Sequence, residues 1–146
     1  MRTLESTLQC TLETIYRVDG APPVDAYRVE RWAGGEREAL LLRVDGEVTE
    51  VGLFIDDNIR AGAEATLRGV SRELDALCVA IEGVSHFVYF TLWGAARPIS
   101  MAELELQAEI DKFLLIWLCL EEEPMELSRR LFDAARLHAP PEALPR

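Results

Sequence analysis

Apolar residues recur at helical spacing at the start of the chain: Leu4, Leu8, Leu12 and Ile15. Thr3 is placed to cap this run and Asp19-Gly20 to end it, so the spacing predicts an amphipathic helix. The prolines of Ala21-Pro22-Pro23-Val24 then force an extended linker, because proline disfavours the helical conformation of the residue before it. The pattern changes to strand-like runs. Tyr27–Trp32 is rich in aromatic and β-branched types and closes at Gly34-Gly35. Leu40, Leu42 and Val44 alternate. Asp45-Gly46 is a two-residue hairpin signal, and Thr49, Val51, Leu53 and Ile55 share the face of the next run. These three runs predict an antiparallel meander, covered by helices on one side.

Asp56-Asp57-Asn58 offers a cap to a helix holding Ile59, Ala63 and Leu67, weakened by Gly62 and Gly69. The stretch from Ala76 to Gly83 alternates as a strand would, and its β-branched residues and Gly83 favour a short fourth strand. Val84 to Arg97 reads as an apolar helix stopped by Pro98. Ser100 with Glu103 forms a capping box for a long helix reaching about Leu120. On that helix Leu106, Ile110, Phe113, Trp117 and Leu120 make one stripe, expected to dock on the sheet. From Phe113 onward apolar residues lie on every side. One sheet face covers only one side of a helix, so Leu115, Ile116 and Leu118 are expected in a two-fold contact with a second copy. Pro124 ends the acidic break after it, Glu126 to Leu137 predicts a last helix, and residues 139–146 a frayed tail. The expected fold class is α+β: a three- to four-stranded antiparallel meander packed against several helices, one domain over residues 1–138.

Composition narrows the partners. The chain has 146 residues and a net charge of −11. That charge opposes phosphate backbones, so neither nucleic acid nor anionic membrane is expected as a partner. Arg28, Arg31, Arg37 and Arg43 interleave with Glu30, Glu36, Glu38 and Glu47, which suits cross-strand ion pairs. Cys10, Cys78 and Cys119 sit among apolar neighbours with no Cys-x-x-Cys, as buried thiols in a reducing cytosol would. The N-terminal residues show no signal-peptide pattern, and the run Phe113 to Leu120 is too short to cross a bilayer. A cytoplasmic location follows as the expectation.

The candidate chemistry centres on His86. If the chain is helical from Glu82, these two residues are four apart and adjacent, and Glu105 with Glu109 adds carboxylates on the next helix. Such a set suits a general base or a metal, and would make the protein a small enzyme of the metal-dependent hydrolase kind. Metal sites of this sort usually draw on a second histidine, and the other one, His138, stands apart in the last helix. His86 is therefore expected to be structural, bonded to a backbone carbonyl or to Glu82, with no metal and no cofactor. Ser85 beside it is a helix residue pointing about 100° away, not a nucleophile paired with a base. Phe87, Tyr89, Phe90 and Trp93 read as core packing.

The segments "EGVSHFVYF" and "ELELQAEIDKF" resemble an uncharacterised group of bacterial proteins with no assigned activity, over the region from the strands to Leu120. The resemblance implies no catalytic residue. The layout of a small acidic domain, with a first helix, a meander and later helices, is similar to that of secretion chaperones at the level of fold alone. The function expected from the sequence is a protein-binding module or subunit, chaperone- or adaptor-like, acting on a protein partner or as a homodimer.

Overall fold

The computed structural model describes residues 2–120 together with residues 129 and 131. The segment after Leu120, with the expected last helix, His138 and the tail 139–146, otherwise lies outside the described residues. Helix α1 spans Leu4–Tyr16, capped by the Thr3 hydroxyl accepting from the Ser6 amide at 3.1 Å. A 3-10 turn, Val24–Tyr27, leads into strand β1, Arg28–Val29. Strands β2, Glu38–Asp45, and β3, Val48–Ile55, form a hairpin. Helices α2, Asp57–Leu67, α3, Leu74–Trp93, and α4, Met101–Leu120, follow.

The architecture is α+β, but the sheet is mixed rather than a meander. Its order is β1-β3-β2, and β1 runs parallel to β3, Arg28 opposite Leu53 and Val29 opposite Phe54. The first expected strand shrinks to two residues because Tyr27 belongs to the 3-10 turn, where its ring stacks at 5.5 Å on Phe87. After β1 the chain passes the end of β3 and enters the far edge. The hairpin is antiparallel, with Asp45 opposite Val48, so the two turn residues are Gly46 and Glu47. Gly46 takes φ +62, the left-handed conformation that the turn requires of it.

The expected fourth strand is helix. Residues 74–93 are one continuous α3, and Gly83 lies inside it. Alternation over eight residues gave way because α3 occupies the centre of the molecule, touching α1, α2, α4 and the sheet. A helix surrounded in this way needs apolar residues on all sides, which local periodicity cannot separate from a buried strand. Gly83 faces the hairpin: a Cβ there would stand 3.2 Å from Leu53 Cδ1 and 3.4 Å from Glu38 Oε2. The glycine thus lets the sheet approach α3. By length and composition α3 is also the one described helix apolar enough to cross a membrane, and most of it is buried inside the fold.

Leu8, Leu12, Leu53, Leu77, Ile81, Phe87, Leu115 and Ile116 form the middle of the core. A polar network threads it. Buried Asp111 accepts from the Ser85 hydroxyl at 2.6 Å, the Tyr16 hydroxyl at 2.5 Å and the Gln107 amide at 2.9 Å, tying α1, α3 and α4 together. Buried Glu5 accepts from Arg60 at 2.6 Å and 3.3 Å and lies 3.6 Å from Arg28, joining α1, α2 and β1. Of the other arginines, Arg43 makes a cross-strand pair with Glu50 at 2.8 Å, and Arg37 reaches Asp75 on α3 at 2.6 Å.

Candidate functional site

Helix α4 starts at the expected capping box: the Glu103 amide donates to the Ser100 hydroxyl at 3.1 Å and the Ser100 amide to the Glu103 carboxylate at 3.4 Å. Its rotation differs from expectation. Leu104, Ala108, Asp111 and Leu115 face inward. Three residues of the stripe expected to dock face outward instead, Leu106 65%, Ile110 41% and Trp117 40% exposed, while Phe113 and Leu120 are partly buried against the core. Phe113 stands between them, its ring 6.0 Å from that of Trp117. The helix holds two apolar stripes, and the one with smaller residues won because its Asp111 completes the Ser85 and Tyr16 network. Of the residues expected in a contact between copies, Leu115 and Ile116 belong to the chain's own core, at 1% and 0% exposure. They are corrected to core residues. Leu118 is exposed, about 100° around the helix from Trp117.

Along the flank of α4 between these two stripes lies a polar cluster. The i, i+4 spacing on α3 brings Glu82 next to His86, and α4 brings Glu105 against them. One ligand atom from each lies within 4.8 Å of the others. His86 is buried, and its Nε2 stands 3.7 Å from Glu105 Oε1, too far for a hydrogen bond. That nitrogen has no hydrogen-bond partner among the described residues. The backbone of Leu104 favours the charged ring, against the larger effect of burial. Lys112 pairs with Glu82 at 3.2 Å and Glu109 at 2.8 Å. Glu109 is thus a partner of Lys112 rather than of His86.

The cluster has a member that the sequence reading treated only as an ion-pair candidate. Strand alternation puts Glu38 on the same face as Leu40, opposite Ile55, and so toward α3. Its Oε2 is buried without a hydrogen-bond partner. The signal was present in the sequence as a glutamate in phase with inward leucines. Burial, reinforced by the negative charges of Glu82 and Glu105, pushes Glu38 up to about 7. Burial, with Glu82 alongside, also lifts Glu105 to about 7. Burial holds His86 below the usual imidazole value, against the opposing pull of Glu82. For Lys112 burial disfavours the charge but is outweighed by Glu109 and Glu82, and its pKa rises. Near neutral pH the cluster therefore keeps protons on carboxylates beside a neutral imidazole. Such groups exchange protons readily or give them up to a cation.

On the other side of the α3–α4 seam, Leu12, Tyr16, Tyr89, Leu92 and Trp93 line an apolar cleft of about 220 Å³. Asp111 lies at its edge with all its oxygens engaged. Comparison of the chain with protein families, curated proteins and solved structures yields no match.

Proposed function

We propose that the protein works by binding protein through the outward face of α4, with a second copy of itself as the occupant. The observation behind this reading is the row of exposed Leu106, Ile110 and Trp117, with half-buried Phe113 between them, on a helix whose Leu104, Ala108 and Leu115 are buried on the opposite side. The eleven rises from Leu106 to Trp117 make a strip about 16 Å long. Exposed apolar strips of that kind mark association surfaces. Two antiparallel copies match about a two-fold axis, Leu106 against Trp117 and Ile110 against Phe113. The net charge of −11 opposes self-association in general. At this strip, however, the flanking acids are already neutralised within the chain, Glu103 by Arg97 at 2.8 Å and Glu109 by Lys112. The reading is of an adaptor- or chaperone-like subunit in a reducing cytoplasm, and its three free cysteines support it.

Light scattering coupled to size-exclusion chromatography tests the reading. At tens of micromolar the wild type is expected at the mass of two chains. Leu106→Glu with Ile110→Glu, both on the exposed face, is expected at the mass of one chain with an unchanged circular dichroism spectrum. A wild type that stays at one chain across the concentration range overturns it. A second reading, chemistry at the polar cluster, is favoured by the convergence of Glu82, His86 and Glu105 from two helices.

A further inference from the structure

We propose that Glu82, His86 and Glu105 form a binding site for a divalent first-row transition-metal ion, of the Mn²⁺ or Zn²⁺ class, at the α3–α4 seam. The proposal does not depend on self-association, and it reverses the expectation from sequence that no metal binds. Acidic residues alone would not support it, since clusters of them are common on surfaces. The independent observation is His86. This imidazole is 5% exposed, and its Nε2 points at the two carboxylates with no hydrogen-bond partner. A buried polar atom left unpaired costs free energy, and native structures rarely keep one without a role.

Glu38 supplies a second vacant acceptor. Its Oε2 is also buried and unpaired, and it stands close enough to Glu82 and Glu105 to feel their charge. Glu38 is not one of the three residues whose ligand atoms converge, and it stands beside the site as a buried, unpaired acceptor. Among the described residues Lys112 is the ammonium at this cluster, and it engages one oxygen each of Glu82 and Glu109. Glu82 also shares a hydrogen bond with Glu105, which an ion at this site displaces. One imidazole nitrogen with carboxylate oxygens suits manganese, iron or zinc, whereas magnesium and calcium favour all-oxygen sites. Ligand atoms of one ion stand about 3–3.5 Å apart, given bonds of about 2.0–2.2 Å. Closing from 4.8 Å takes movements of about 1 Å, within reach of the half-exposed Glu105 side chain.

The rival account makes Lys112 the permanent counter-ion of a structural network. Titration of the chelator-treated full chain with MnCl₂ or ZnCl₂, followed by calorimetry and, for Mn²⁺, by electron paramagnetic resonance, separates the two. One ion per chain is expected. Binding should weaken at least about tenfold in His86→Gln and in Glu105→Gln, as loss of a ligand or its support does. Lys112→Gln removes the competing ammonium and is expected to tighten binding. Circular dichroism verifies the fold of each variant; should the buried His86 variant fail to fold, Glu105→Gln, at a half-exposed position, decides alone. The absence of binding by the wild type overturns the proposal. So does binding that Glu105→Gln leaves unchanged, which would put the ion elsewhere on an acidic surface.

Discussion

Asp111 is a carboxylate in the core of the molecule, and its environment pulls two ways. Burial raises its pKa, while the hydrogen bonds from Ser85, Tyr16 and Gln107 oppose the rise; burial is the larger influence. The folded chain therefore holds this proton to higher pH than the unfolded chain, whose aspartates titrate at about 3.9. Stability from the protonated form is complete below that value and is lost as pH rises through the folded pKa. Asp111→Asn has no such loss. Its unfolding free energy, relative to wild type, is expected to grow as pH rises from about 4 and then to level off. Urea denaturation across that range reads the difference. A difference that shrinks with pH would mean that the three donors hold the pKa down instead.

At the scale of elements, the sequence was a good guide wherever the rule is local. Thr3, Asp56 and the Ser100–Glu103 box cap the helices they were expected to cap, because a cap involves backbone groups two or three residues away. Asp45-Gly46 marked the hairpin, though the pairing places Gly46 and Glu47 rather than Asp45 and Gly46 in the loop. The reading failed for α3, where apolar content on every side erased the period. Gly83 looked like a strand boundary and is instead the point where α3 and the hairpin touch. A Cβ there is already tight against Leu53, so the branched side chain of Gly83→Val is expected to destabilise by about 1–3 kcal/mol, the usual cost of overpacking. Chemical denaturation measures it. A change under about 0.5 kcal/mol would show that the sheet can draw back from α3 at little cost. The site was half legible for the same reason. Glu82 and His86 pair by helical spacing, while the addition of Glu38 needed the sheet to be placed against α3.

For the whole molecule, one buried ion pair shows how the layers are locked. Glu5 is 2% exposed and is held by Arg60 from α2 and Arg28 from β1. Removing one partner of a buried pair leaves a charge in a poor solvent, which costs more than the pair itself contributes. Arg60→Met is expected to lower stability by about 2–4 kcal/mol, moderated by Arg28. The double variant Glu5→Leu with Arg60→Met, which removes the charge as well, is expected to recover much of that loss. A single variant with an unshifted denaturation midpoint would show that Arg28 alone suffices. No reading of the sequence paired Glu5 with Arg60, which lie 55 residues apart. The sequence by itself determined the starts of α1, α2 and α4, the hairpin, the quantity of apolar surface and the α+β class, since these follow from contacts within a few residues and from composition. Tertiary structure alone decided the strand order, the state of α3, which stripe of α4 turns inward, and the meeting of Glu38 with Glu82, His86 and Glu105. Each of those depends on partners distant in the chain, and Tyr16 with Asp111, 95 residues apart, is the plainest case: local periodicity offers two stripes of similar merit, and only the far partner chooses between them.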